Sequence, residues 1–148
     1  MVARPAKERH NTASEGRGAS RARRAASPGQ PSAEELAFAF ALRIVKLYQH
    51  LSAKKKEFVL SKQVLRSGTS IGANLEESQG AQTPADFQAK ISVAYKEARE
   101  TSYWLRLLRD SGFITEKQFE SIHSDCLSLI RILGATQFTM RKKLQQDI

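Results

Sequence analysis

The feature that most constrains this chain is a regular apolar pattern that begins at Phe87 and ends at Leu108. Steps of four and three alternate along one seam of a helix, and the seam consists of Phe87, Ile91, Ala94, Ala98, Thr101, Leu105 and Leu108. Thr83 suits the N-cap, Pro84 suits the first helical position, and Asp86 places a carboxylate near unpaired N–H groups. The pattern predicts a long helix whose apolar seam other helices must cover.

A stretch of small residues precedes this helix, from Ser67 to Ala73. Each glycine inside a helix costs about 1 kcal/mol relative to alanine. Gly68 and Gly72 are four residues apart and share one helix face, where a neighbouring backbone can approach closely. A loop is the alternative, because Ser-Gly-Thr is typical of turns. We predict a helix that ends near Gly80, because the flanking residues keep helical apolar spacing.

Two capping boxes predict where the remaining helices begin. Ser32 with Glu35 starts a first helix that ends near Ser52, and Thr115 with Gln118 starts a fourth after Gly112. Short connections between four helices predict an all-α, antiparallel up-down-up-down four-helix bundle. We expect the bundle to comprise residues 32–143, between a disordered basic arm at 1–31 and a C-terminal tail at 144–148. The first helix is apolar on more than one face, which favours a homo-oligomer.

The net charge of +9 is concentrated at the ends of the chain. Residues 1–30 carry seven cationic side chains against two glutamates, and the last eight residues carry three against one aspartate. The middle of the chain keeps a net charge of only +2. A basic protein favours anionic partners, but here the predicted folded body is close to neutral.

The first thirty-one residues contain no leucine, isoleucine or aromatic residue, and we predict that they are disordered. Their arginines, which include Arg21, Arg23 and Arg24, fit either a solvated flexible arm or an arm that binds nucleic acid. No apolar run is long enough to cross a membrane, and no signal-peptide core is present. We therefore expect a cytoplasmic protein without membrane association.

Basic residues also recur within the predicted body. Lys54, Lys55 and Lys56 fall at or just before the predicted start of the second helix, which is an unfavourable position beside the positive end of the helix dipole. Further basic ridges consist of Lys62 and Arg66 on the second helix, and Arg99, Arg106 and Arg109 on the third. These residues fit either phosphate contacts or an ordinary solvated face.

The sequence contains no persuasive catalytic, metal or cofactor motif. His123 and Cys126 have the spacing of two metal ligands, but no second pair completes a site, and Cys126 suits a buried position. Di-iron bundles carry a Glu-x-x-His motif on each of two helices, and this sequence contains only one, from Glu120 to His123. Instead, Asn74, Glu77, Glu97 and Arg99 are expected to form interhelical hydrogen bonds and ion pairs.

The strings RSGTSIGANLEESQGA and ADFQAKISVAYKEARETSYWLRLL closely resemble the bacterial family called "four helix bundle protein". That family is related to proteins encoded in 23S ribosomal RNA intervening sequences and to the accessory variability protein of diversity-generating retroelements. The resemblance covers about residues 36–141 and implies a four-helix protomer that assembles into a homopentamer.

Two hypotheses of function follow. The first is a non-enzymatic accessory factor that binds RNA or DNA through sequence-independent phosphate contacts, as the resemblance to retroelement relatives implies. The second is an interaction scaffold that recruits a partner enzyme such as a reverse transcriptase, without a direct nucleic-acid role. Under both hypotheses, the helix face that carries Gly68 and Gly72 serves helix packing and does not bind a ligand.

Overall fold

The computed structural model describes residues 28–147, which contain four α-helices and no strand. They are α1 (Ala33–Ala53), α2 (Leu60–Gln79), α3 (Pro84–Asp110) and α4 (Glu116–Gln146). The predicted all-α class is confirmed. The predicted arm, including Arg21, Arg23 and Arg24, lies outside the described residues up to position 27.

The predicted capping residues start three of the four helices. At α1, the Ser32 hydroxyl accepts from Glu35 N–H and the Glu35 carboxylate accepts from Ser32 N–H. Thr115 and Gln118 form the same reciprocal pair at α4, and the Thr83 hydroxyl accepts from Asp86 N–H at α3. These bonds satisfy N–H groups that have no partner inside the helix. The predicted starts of α1, α3 and α4 are therefore confirmed.

One helix boundary differs from the predictions. α2 begins at Leu60, so Lys54, Lys55 and Lys56 lie before it, in line with the prediction, in the connection from α1. α4 continues to Gln146, whereas the predicted bundle ended at 143. Gln137 of α4 donates to Ser92 Oγ at 3.0 Å, so the last turns of α4 pack against the first turns of α3.

The helices pack in chain order. α1 packs on α2, α2 on α3 and α3 on α4, while α4 closes the bundle against α1 over a shorter stretch. The predicted seam of α3 faces the core, where Ile91, Ala94, Ala98, Leu105 and Leu108 are almost completely buried. Thr101 is buried in the same seam and donates to Glu97 O on its own helix. Burial of this seam is the hydrophobic basis of the bundle.

The small-residue face of α2 lies against α1. A Cβ atom built on Gly68 would stand 2.8 Å from two side-chain carbons of Ile44, and Ile44 is fully buried. A Cβ atom on Gly72 would stand 3.6 Å from the Ala37 backbone, which is ordinary van der Waals contact. The glycine at 68 is therefore the one that permits the close approach of α1.

The outer face of α1 is apolar, in line with the sequence pattern. Phe38 is 68% exposed and Leu42, one turn later, is 52% exposed. Neither side chain belongs to the core of the protomer. An apolar stripe of this kind is a feature of surfaces that contact another protein.

We predict opposite effects for alanine at the two glycines of α2. Gly68→Ala should lower the free energy of unfolding by about 1–2 kcal/mol, because overpacking against Ile44 exceeds the gain in helix propensity. Gly72→Ala is the control, and it should leave stability unchanged or raise it by up to about 1 kcal/mol. Urea denaturation followed by circular dichroism measures both values. Equal stabilisation by the two substitutions would contradict the close approach at Gly68.

Candidate nucleic-acid interface

Three consecutive lysines occupy the connection between α1 and α2. Lys54, Lys55 and Lys56 are all exposed, and Lys56 has a left-handed backbone conformation with φ of 54°. The N–H groups of Lys54 and Lys55 both donate to His50 O, at 2.9 and 3.4 Å. The lysines thus follow the C-terminal carbonyl groups of α1, where positive charge is favourable. The lysines do lie before the start of α2, as expected, but the expectation left out the C-terminal end of α1, which favours their charge.

The Glu57 side chain caps the N-terminus of α2, a role that was not predicted from the sequence. Its carboxylate accepts from the N–H groups of Val59, Leu60 and Ser61, at 3.0, 2.8 and 2.6 Å. Burial raises the pKa of Glu57, but these backbone hydrogen bonds outweigh burial and hold the pKa below its ordinary value. The ionised carboxylate therefore meets the positive end of the α2 dipole in place of the lysines. An acid directly after three lysines was the only sequence signal for this role.

Further cations lie at the same end of the bundle because the helices are antiparallel. Lys62 is in the first turn of α2, Arg106 is near the end of α3, and Lys117 is in the first turn of α4. We call the six exposed cations of this end the basic end. Its members are Lys54, Lys55, Lys56, Lys62, Arg106 and Lys117. Within residues 28–147, none of the six forms an ion pair with an acidic side chain.

Two of the predicted contact residues are already engaged in ion pairs. Arg66 lies 2.6 Å from a Glu100 oxygen and 3.8 Å from a Glu97 oxygen, both on α3. Arg109 lies 2.9 Å from Asp110 and 3.8 Å from Glu116. A phosphate would have to compete with these carboxylates, so we leave Arg66 and Arg109 out of the basic end.

Two of the predicted cations, Arg99 and Arg106, each lie over a tyrosine ring of α3, at 5.8 and 5.9 Å from the ring centre. The Arg99 guanidinium donates to Tyr95 Oη at 3.3 Å on its own helix. The Arg106 guanidinium carbon lies 5.9 Å from the ring centre of Tyr103, and both side chains are exposed. Arg99 lies midway along α3, so it is not part of the basic end.

The predicted structural residues divide into interhelical and intrahelical ones. Glu77 of α2 pairs with Lys90 of α3 at 2.7 Å, and Glu97 of α3 pairs with Arg66 of α2. Asn74 instead donates to Ser70 O within α2, and Arg99 donates to Tyr95 Oη within α3. Neither residue forms the expected interhelical bond to another of residues 28–147.

His123 and Cys126 do not form a joint site. The His123 ring stacks on Phe119 and its Nε2 lies 2.8 Å from Ser102 Oγ. The Cys126 thiol donates to Ala98 O at 3.3 Å, and burial, aided by Asp125, raises its pKa to about 12. Among residues 28–147 there is no cluster of three or more metal-binding side chains.

Two further features were not predicted from the sequence. Arg43 connects α1 to α4, donating to Ser121 O and Oγ and to Asp125 at 2.6–3.1 Å. Phe58 and Val59, directly after the Glu57 cap, are 53% and 69% exposed. In the described part of the chain no helix is long and apolar enough to span a membrane.

These features define an all-α helical bundle whose candidate site is a cluster of exposed cations without acidic partners among residues 28–147. Residues 32–135 match the model of the 23S rRNA-intervening sequence protein family, and the chain belongs to this family. A solved structure from Bacteroides thetaiotaomicron, described as a protein of unknown function from the S23 ribosomal protein family, shares 48% sequence identity with it. The similarity covers 72% of this chain and 98% of that chain, with a TM-score of 0.71. No curated protein matches the chain.

We predict that His123 makes stability depend on pH. Burial, and then the charges of Arg106 and Arg109, lower its pKa below the ordinary 6.5. Above 6.5 the folded and unfolded forms are both neutral. As the pH falls below 6.5, the unfolded chain binds a proton that the folded chain resists, so stability is lost until the folded pKa is reached.

Urea denaturation at pH 7.5 and 5.5 tests this for the native protein and for His123→Gln. The native protein should lose more unfolding free energy between the two pH values than the variant does. An equal loss in both proteins would show that His123 does not contribute to the pH dependence.

Proposed function

We propose that this protein is a non-enzymatic, oligomeric accessory factor that binds nucleic acid through sequence-independent phosphate contacts at the basic end. The carrying observation is the lysine cluster Lys54, Lys55 and Lys56, which is exposed and has no acidic partner among residues 28–147. Phosphate contacts of this kind release counterions and read no sequence.

Three neighbouring acids support the proposal because groups of the protein already engage them. Glu57 is turned toward the N–H groups of α2, and Asp110 and Glu116 lie on Arg109. The negative charge of these three groups is thus partly compensated by the protein itself. An incoming phosphate would meet lysines that have no competing carboxylate within ion-pair distance.

Oligomerisation would strengthen such weak contacts. The resemblance to the family implies a homopentamer, and the exposed Phe38 and Leu42 supply an apolar surface for association. Cyclic symmetry places the same end of every protomer at the same height along the ring axis, so the basic ends share one side of the ring when the bundles lie along that axis. Five basic ends on one side would then bind a single polyanion with an affinity well above that of one protomer.

A salt-titrated binding assay tests the phosphate contacts. The variant Lys54→Gln/Lys55→Gln/Lys56→Gln should bind a short duplex more weakly and show a shallower dependence of log affinity on log salt. The slope should fall by about 0.9 for each phosphate that the variant no longer neutralises, hence by about 1–3 for each protomer that touches the duplex. Fluorescence anisotropy at several salt concentrations supplies the slopes.

The matched control is Arg141→Gln/Lys142→Gln/Lys143→Gln, which removes the same charge from the other end of the bundle. Its slope should equal that of the native protein. Equal losses in both triple variants would attribute binding to net charge alone. If the native protein binds no nucleic acid at low salt, the proposal fails, and the scaffold that recruits a partner such as a reverse transcriptase becomes the better hypothesis.

Light scattering coupled to size exclusion tests the assembly. We expect a mass near five times the 16.5 kDa of one chain. Leu42→Glu should reduce this mass, because a charge on the apolar stripe opposes its burial. Gln49→Glu adds the same charge two turns away on the same exposed face and should retain the native mass. A native monomer at micromolar concentration would rule out the pentamer.

A further inference from the structure

An aromatic and a β-branched side chain are exposed immediately beside the lysine cluster. Phe58 is 53% exposed and Val59 is 69% exposed, between Lys56 on one side and Lys62 in the first turn of α2 on the other. Phe58 is absent from the core cluster and from the apolar residues packed against it. The chain thus presents a flat apolar ring next to several cations that have no acidic partner within the described residues.

The backbone hydrogen bonds of this segment hold the ring outward. Glu57 N–H donates to Leu51 O at 3.0 Å, and the Glu57 carboxylate accepts the three N–H groups that open α2. Ser61 Oγ in turn donates to Glu57 O at 2.8 Å. Because Glu57 is turned inward and tied on both sides, its neighbour Phe58 is directed away from the core. The ring is therefore presented by a defined backbone and needs no rearrangement to meet a ligand.

The combination of ring and cations indicates the chemistry of the ligand. An aromatic face stacks on an unpaired base, and neighbouring lysines neutralise the adjoining phosphates. In a duplex, the bases are stacked on one another and do not offer a free face to a surface ring. A ring beside phosphate-binding lysines therefore adds affinity for a single strand and adds none for a duplex.

We propose that Phe58 is a stacking platform for an unpaired base, and that the basic end therefore prefers single-stranded RNA or DNA to duplex. This inference rests on the proposed function and adds the class of nucleic acid to it. Lys54, Lys55, Lys56 and Lys62 supply the phosphate contacts, which single strands and duplexes share.

The test compares Phe58→Leu, Phe58→Trp and the native protein. The probes are a fluorescein-labelled twelve-nucleotide oligouridylate, the matching oligothymidylate, and a twelve-base-pair duplex, each measured at the same low and the same higher salt concentration. Phe58→Leu should lose about fivefold to a hundredfold in affinity for the single strands and stay within about twofold for the duplex. Phe58→Trp, which keeps an aromatic ring, should bind the single strands about as well as the native protein does. The bases should quench the fluorescence of the added tryptophan. The two single-strand probes show whether RNA or DNA is preferred.

The control variant is Phe138→Leu. Phe138 is 61% exposed near the far end of α4, and Lys142 Nζ lies 5.0 Å from its ring centre, so it reproduces an exposed ring beside a cation. It should bind every probe as the native protein does. Light scattering on each variant confirms that the assembly is unchanged, and a change of mass in Phe58→Leu alone would assign Phe58 to contacts between protomers and overturn the inference.

The remaining outcomes separate this inference from the proposed function. Salt-sensitive binding of all probes with no effect of Phe58→Leu would overturn the stacking platform and leave the phosphate contacts in place. Absence of binding to any probe at low salt would overturn both. If Phe58 is needed for binding to phosphatidylserine vesicles and the protein shows no preference for single strands, the inference is overturned. Phe58 would then contact a lipid surface and not an unpaired base.

Discussion

The contact between Ile44 and Gly68 fixes the position of α1 on the rest of the bundle. Ile44 is fully buried, and its branched side chain occupies the space that a Cβ atom at position 68 would need. Since buried packing is dense, a missing methyl group on one helix sets how near the next one lies. The lysine cluster and the Glu57 cap follow directly from the end of α1. Their placement at the basic end therefore depends on this helix contact.

The side of α1 that faces α4 is held less closely than the side that packs on α2. Toward α4, Arg43 makes polar contacts with Ser121 and Asp125 that are partly exposed, and such contacts add little stability because water and salt screen them. A cleft of about 510 Å³ remains between the two helices, lined by residues that include Leu47, His50 and Lys117. α1 thus depends mainly on α2 for its buried surface. Its outward Phe38 and Leu42 add nothing to the protomer core, which is why we assign them to the proposed contacts between protomers.

The sequence predicted those parts of the fold that are determined within a few residues. Ser32 and Glu35 meet across three positions, so their reciprocal bonds could be inferred directly from the spacing. The seam of α3 was equally predictable because its period is that of the helix itself. The Glu57 cap was not, because it requires a left-handed residue at Lys56 that no local pattern indicated. Arg43 and Asp125 are 82 positions apart, so their contact exists only once the fold is known.

The same reason explains why the candidate site was only partly predictable. Arg66 and Lys62 both belonged to one predicted ridge of α2, yet Arg66 has two acidic partners on α3 and Lys62 has none among the described residues. A sequence ridge shows which cations share a face, whereas the charge available to a ligand depends on what the neighbouring helix places opposite them. Free cations could therefore be separated from paired ones only in three dimensions.

This separation also bears on how the protein would recognise a polyanion. Arg43, Arg66 and Arg109 each have an acidic partner, in keeping with the planar guanidinium group's suitability for ion pairs. The unpaired charges of the basic end are mostly lysines, whose ammonium groups act as compact, hydrated point charges. Lysine point charges can hold the phosphate backbone of a polyanion at the protein surface, but they do not distinguish one base from another. Any discrimination must then come from a group with a defined shape, and the exposed ring of Phe58 is one such group that the described structure places beside the lysines.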